Sequence, residues 1–465
     1  MHKGWTILLT TLLLLSACAP ATPVNHISTE TPPVNLTGEP SATITPVMAA
    51  SSLNVQKEAL RGVQVKVWHP YFGAEATLFE AQVQQFNKEN EWGIIVIAAS
   101  KENFNELFLQ TDAALKATEY PQVVVAFPEH ALGWKEFVVD LNPYLNDALY
   151  GMSAIDRSDF ANAVWMQDEV DGVRYGVPAQ RTARLLLYNQ SWARELGFDS
   201  APETPSEFEE QACAANKALR ADSDTKNDSL GGWMIDGDAM TALSWLLAFD
   251  GGVQNGKSYR FLMPNNISAF QHLKVMQQDG CAWMPSPETS VYDRFAGRQA
   301  LFTTASLEEL ADQSRAFFVT GSKDEWTVLP FPGDSKTVLV SYGSSYIMFQ
   351  SDEVTQVASW LFMRWMLSPE NQARWVRSTG LFPLRGEALS LLGDYSKEHP
   401  QWAAAVGLLS GATIPPQLAS WKNVRVMMGD GFRDMFDTIR HPDLTDGQIP
   451  LILRQMDVIA DELNK

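Results

Sequence analysis

The sequence predicts an α/β protein built as two large domains, and two observations point there. The chain has 465 residues, more than a single hydrophobic core serves. Its first folded stretch, residues 63–125, alternates strand and helix. Val63, Val65 and Val67 have the period of a half-buried strand. Leu78, Phe79, Val83 and Phe86 follow at helical spacing, and Asn87-Lys88-Glu89-Asn90 ends that helix. A strand over 92–98, a helix over 104–115 and the apolar run Val123-Val124-Val125 complete the alternation of a doubly wound, mostly parallel sheet.

Composition narrows the class. A content of 45% hydrophobic and 19% charged residues fits a folded soluble protein. The net charge of −20 argues against nucleic acid or an anionic membrane as a partner held by charge. At the start, Lys3 precedes an apolar run over 7–15, too short to span a bilayer and suited to the core of a signal peptide. The run ends in Leu15-Ser16-Ala17-Cys18, which resembles the lipobox of bacterial lipoproteins. That resemblance implies cleavage after residue 17, a lipid on Cys18 and an exported chain anchored to the outer face of the cell membrane, or to the periplasmic side where an outer membrane exists. Residues 18–61, rich in Pro, Thr, Ser and Ala, read as a disordered tether that cannot bury enough surface to order itself. Cys213 and Cys281 remain; two buried thiols are the alternative, but in an oxidising compartment they are expected to pair.

Residues 171–189 organise the rest. Asp171-Gly172 supplies the positive φ of a tight hairpin turn. Val173, Tyr175 and Val177 alternate as a strand that Pro178 ends, and Leu185-Leu186-Leu187-Tyr188 is apolar enough to be buried on both faces. Asn189-Gln190-Ser191 then starts a short helix closing at Gly197. In this order the segments resemble the crossing strand of bacterial extracellular solute-binding proteins of family 1, the sugar receptors of ABC importers. Further segments agree in series: Asn87-Lys88-Glu89-Asn90, Tyr120-Pro121, the helix from Pro205, the stretch FAGRQALFTTA over 295–305, Val328-Leu329-Pro330 as a second crossing, and Gly380-Leu381-Phe382-Pro383. The resemblance implies a two-lobed type II periplasmic-binding-protein clamshell, each lobe a mixed, mostly parallel sheet flanked by helices. It places the first lobe at 62–181 and 329–380 and the second at 182–328 and 381–465.

Other chemistry finds little support. Residues 251–258 fit the phosphate-loop pattern G-x4-G-K-S, but a helix precedes them where the motif needs a strand. Asp222, Asp224, Asn227 and Asp228 suggest calcium, but Lys226 takes the fifth position of an EF-hand loop and no Gly follows. There is no H-E-x-x-H and no G-x-S-x-G, so neither catalytic residues nor a metal or cofactor is expected. An extracellular carbohydrate-active enzyme stays open as an alternative, since its paired carboxylates have no sequence signature.

A sugar site needs aromatic faces for the C–H side of a pyranose and carboxylates or amides for its hydroxyls. The resemblance implies ligand contacts at Tyr71 and Phe72 after the first strand, Glu129 and His130 after the third, and Thr182 at the hinge. It adds Trp233, Asp236 and Asp238 before a helix of the second lobe, then Glu308, Tyr342 and Trp421. Trp421 is expected to offer an open face for stacking and Glu129 to bind hydroxyls from the other lobe. The partners implied are a small solute, a sugar first and a polyamine or glycerol phosphate second, and the membrane subunits of an ABC permease, with the receptor itself a monomer.

Overall fold

A computed structural model describes residues 51–286 and 290–465, so the expected signal peptide, Cys18 and most of the expected tether lie outside the described residues. Order begins earlier than the tether reading allowed. Ser51 and Ser52 hydroxyls and the Ser52 and Leu53 amides all donate to one carboxylate oxygen of Asp147, at 2.7–3.2 Å. Val55 and Leu60 are buried in the first core. The polar composition hid these few anchoring contacts.

The first half is a five-stranded sheet. Its strands are β1 (Gln64–His69), β2 (Ile95–Ser100), β3 (Val123–Ala126) and two later arrivals, with α1 (Gly73–Glu89) and α2 (Phe104–Ala117) as crossovers. β1 pairs in parallel with both β2 and β3. All four residues of β3 are buried, as its unbroken apolar run requires. Asn103 caps α2 through the amide of Glu106. After β3 comes the short α3 (Pro128–Gly133).

Then the chain turns toward the second half. β4 (Glu169–Val170) and β5 (Val173–Arg174) form the hairpin, with Asp171 and Gly172 at φ 53° and 79°. The alternating stretch is not one strand. β6 (Val177–Pro178) is a separate edge strand of the first sheet, a position where proline's missing N–H is tolerated. The second sheet is built on β7 (Thr182–Asn189), seven of whose eight residues are buried.

The second half follows in order: α4 (Pro205–Arg220), β8 (Trp233–Met234), α5 (Ala239–Ala248), α6 (Pro264–Gln278), β9 (Ala282–Trp283), α7 (Val291–Ala296), β10 (Phe302–Ser306), α8 (Leu310–Thr320) and β11 (Trp326–Leu329). The strand order is β9-β8-β10-β7-β11, mixed in direction. Cys213 on α4 is joined to Cys281 beside β9, with Cα atoms 4.4 Å apart. The phosphate-loop-like stretch carries a small hairpin between α5 and α6, pairing Gln254–Asn255 with Ser258–Tyr259.

The return to the first sheet comes at Gly343, not after Val328. β11 pairs with β7, Phe331 bridges Val338, and β12 (Ser341–Tyr342) also lies on β7, so the chain stays with the second sheet to that point. Val328-Leu329-Pro330 resembled a crossing because proline ends the strand there. β13 (Ser345–Met348) then joins the first sheet beside β3. Gly343, at φ 156°, is required: a side chain there would run into the carbonyl of Gln180 on the other crossing.

α9 (Glu353–Met366) and α10 (Pro369–Thr379) pack into the first core. Residues 381–409 pack into that cluster, which also takes in Leu185 and Leu187 of β7 and Trp326 and Val328 of β11. Leu381, Phe382, Trp402 and Ala405 belong to the same cluster, and Gln401 bonds the Trp326 carbonyl of β11 at 3.1 Å. α11 (Pro400–Leu408) therefore lies against both sheets' supports, and only α12 (Trp421–Phe436) and α13 (Ile449–Leu463) pack wholly in the second core.

Arg181 ties the crossings together. Its guanidinium, fully buried, pairs with Asp168 at 2.7 Å and donates to the Ser344 carbonyl at 2.6 Å. Its own carbonyl accepts the Phe382 amide at 3.0 Å. Removing one partner of a buried ion pair strands the other charge. Asp168→Ala should thus cost about 3–5 kcal/mol in urea unfolding, and Asp168→Leu with Arg181→Met should recover most of it. A single-variant loss below about 1 kcal/mol would show that this pair does not hold the crossings.

Candidate functional site

Glu129 stands at the start of α3, immediately past the C-terminal end of β3, where open α/β sheets leave room for a ligand. Its side chain is buried and its Oε1 makes no hydrogen bond; the nearest cation, Arg425 Nη1, is 3.7 Å away. Burial pushes its carboxyl above the usual range, and Arg425 opposes that shift.

Arg425 lies one helical turn after Trp421 on α12, so both side chains share a face. With Glu129, Phe127, Met240 and Tyr342 they enclose a cavity of about 20 Å³. That is space for about one water molecule, so a sugar ring enters only if the walls part. Met240, Tyr342 and Arg425 also line an adjoining cavity of about 510 Å³, with Arg184, Asp236, Asp238 and Arg433. A larger cavity of about 810 Å³, lined by Val426, Leu444, Ile452 and Met456 among others, lies between α12 and α13 and holds none of the expected site residues.

Charges in the adjoining cavity are already matched. Arg184 donates to Asp236 through Nε at 3.0 Å and to Glu309 through Nη1 at 2.8 Å. Asp236 also accepts from Thr241 at 3.0 Å and from Thr304. Asp238 caps α5 by accepting the Met240 amide at 2.7 Å; burial pushes its carboxyl up, with Arg184 opposing. Burial works against the Glu309 carboxylate too, yet Arg184 and the Ser306 bonds hold it below the usual range. Tyr342 is pushed far up by burial, so its hydroxyl remains a proton donor.

The structure thus brings Glu129, Asp236, Asp238, Tyr342 and Trp421 into one continuous site and separates the rest. The Tyr71 ring packs among His69, Phe79 and Trp375 in the first core. Phe72 is 77% exposed and lines neither cavity. His130 packs on Phe108, Phe127 and Trp134, and burial takes its pKa down to about 3, leaving it neutral. Trp233 is fully buried against Phe208 and Trp245. Thr182 donates to Glu308 at 2.8 Å beside the crossing, away from both cavities. Each is an aromatic or polar residue at a strand end, a place that serves core or hinge as readily as ligand.

Trp421 itself departs from expectation: it is only 1% exposed and packs beside Tyr259 in the second core. Arg184 and Arg425 are the side chains that sequence reasoning missed. The i, i+4 spacing from Trp421 was a usable signal for Arg425; nothing local marked Arg184. Among the described residues no group of three or more His, Cys, Asp or Glu side chains is placed to hold a metal ion.

A family model described as bacterial extracellular solute-binding protein matches residues 81–407. The sn-glycerol-3-phosphate-binding periplasmic protein UgpB of Pectobacterium atrosepticum is 22% identical over 377 residues, 77% of this chain and 82% of the relative. Its counterpart in Escherichia coli K12 is 21% identical over 399 residues, 81% of this chain and 89% of the relative. Among solved structures, the sugar-binding protein MalE from Xanthomonas citri superposes with a TM-score of 0.72 at 20% identity, covering 86% of this chain and 97% of that one. UgpB from Mycobacterium tuberculosis in complex with glycerophosphocholine gives 0.66 at 18%, covering 86% and 98%. At these identities the likeness shows the fold, the two-lobed type II clamshell.

Because Trp421 is both cavity wall and core, Trp421→Ala should lower stability by about 3–5 kcal/mol, with Trp421→Phe losing clearly less. A wild-type melting temperature for the alanine variant would contradict this placement.

Proposed function

This chain belongs to the bacterial extracellular solute-binding proteins, and from that premise we propose that it is the sugar-capturing receptor of an ABC importer. In this reading the ligand is held between lobes 1 and 2 and passed to a membrane permease. The observation that carries the choice of a sugar is the buried Glu129 oxygen without a hydrogen bond, in the same wall as Trp421 and Tyr342. A ligand hydroxyl would supply the missing donor while its C–H face lies on the indole. The wall's cations are also occupied: Arg184 is bonded to two carboxylates and Arg425 lies beside Glu129. Such a site suits a neutral polyhydroxy ligand better than a dianion.

A phosphoglycerol ligand is the second reading. It is favoured by the three guanidiniums of Arg184, Arg425 and Arg433 around the wider cavity, and by the ligands in the relatives' names. A thermal-shift screen of mono- and oligosaccharides against glycerol 3-phosphate and glycerophosphocholine separates the two. A true ligand at 100 times its Kd adds about 2.7 kcal/mol of stability. Glu129→Gln should weaken sugar binding by about 1.5–3 kcal/mol in calorimetric titration, the share of one charge-assisted hydrogen bond. A response to phosphoglycerols alone, with unchanged affinity in the Gln variant, would replace the sugar reading.

We also propose the anchoring implied by Leu15-Ser16-Ala17-Cys18: export, lipid on Cys18 and a monomeric receptor facing outward. Replacing Cys18 with Ser should move the protein from the membrane fraction to the soluble one. Retention in the membrane fraction would refute a lipid at this cysteine.

A further inference from the structure

The first turn of α12 and the segment before it touch the opposite lobe at two points, of which the Lys422 contact lies outside the ligand cavities. Lys422 Nζ lies 3.4 Å from the ring centroid of Phe108 on α2. Phe108 is itself held in place, stacked on Trp134 with centroids 5.4 Å apart and tilted against His130 at 4.8 Å. The ring is therefore a fixed platform packed against a separate cluster with Leu107, Trp134 and Phe349, on the face of the first sheet that carries α2, whereas Lys422 rides on a helix of the second core. A second contact backs the first. The Gln417 side-chain amide, just before α12, donates to the carbonyls of Met166 and Glu169 at 3.0 Å and of Gln167 at 3.3 Å.

From this geometry we propose that Lys422 is the latch of lobe closure: its ammonium on the Phe108 face holds the lobes together without touching the ligand. Trp421 and Arg425 line the cavity beside Glu129, but Lys422 lines neither cavity. The Lys422–Phe108 contact exists only when the two lobes meet, so it adds to the closed state and not to the open one. A contact of that kind changes how long the lobes stay shut. Phe108 packs against one hydrophobic cluster and α12 is built into another, so the contact joins two separately packed regions.

The inference rests on the clamshell reading of function, but its test begins without a ligand. Small-angle scattering of the full mature chain should give a larger mean radius of gyration for Lys422→Ala than for wild type. Lys422→Arg, which keeps a cation on the ring, should restore the wild-type value. Phe108→Leu should match Lys422→Ala, and the double variant should add little beyond either one, since they break the same contact. Once a ligand is in hand, dissociation from Lys422→Ala should be about 2- to 30-fold faster, the range for a partly desolvated cation on an aromatic face, with association within about twofold of wild type. Melting temperatures should stay close to wild type, because Lys422 is half-exposed. Unchanged scattering together with unchanged dissociation would overturn the latch, as would failure of the Arg variant to restore closure. A negative sugar screen would count against the proposed ligand and leave the scattering result intact.

Discussion

Three passages of the chain at the crossings between the two sheets meet at one buried guanidinium. Arg181 has no exposure to solvent, and its countercharge Asp168 is almost as deeply buried. A desolvated pair of this kind is held by its geometry, and the geometry here is made of crossing strands. The Arg181 side chain takes the carbonyls of Gln180 and Ser344 and the hydroxyl of Ser345, while its backbone takes Phe382. Three passages of the chain are thereby pinned at one point. β6 and β13 lie on one side of it, β7 and β12 on the other. The Glu129 and Trp421 cavity lies beside this pin: Gly343 and Gln167, neighbours of Ser344 and Asp168, line it too.

That constraint explains why the site is made of pairs drawn from both sides. Glu129 and Phe127 follow β3; Trp421 and Arg425 come from α12. Arg425 bridges them, its guanidinium 5.0 Å from the Phe127 ring centre and 3.7 Å from Glu129. Neither lobe alone presents a complete site. Arg184 plays the corresponding part within the second lobe, where its bonds to Asp236 and Glu309 join β7, the start of α5 and the turn after β10. Because those carboxylates are occupied with one another's neighbours, the wall arrives at the ligand already ordered, which lowers the entropy cost of binding.

The fold was legible where burial is two-sided. Val123–Ala126 and Leu185–Tyr188 are apolar without a break, and each is a central strand. It was less legible where a strand is short or at an edge: β6 is two residues of a stretch that reads as one longer strand, and β12 hides in a run of serines and tyrosines. The site divides along a similar line. Glu129 was legible as a candidate because it follows the third strand, where open α/β sheets leave room for a ligand. Tyr71, His130 and Trp233 occupy similar local positions, yet they point into cores, and only the packing of distant helices decides that. Arg181 could not be recognised at all, since a buried arginine and an exposed one look alike in sequence.

The cavity between the lobes sets the energetic problem that a ligand must solve. At about 20 Å³ it is too small for a sugar ring, so binding begins from a more open arrangement. Closing on nothing gathers Met240, Trp421, Phe127 and Leu132 around one small cavity, which buries apolar surface, but it leaves the Glu129 oxygen desolvated without a donor. The first effect favours closure and the second opposes it. In the reading proposed here, a hydroxyl ligand would keep the apolar contact, through the face of its ring, and remove the penalty, through a hydrogen bond to Glu129. The ligand therefore shifts the balance by what it gives the closed state alone, and that difference is the most it can contribute to closure.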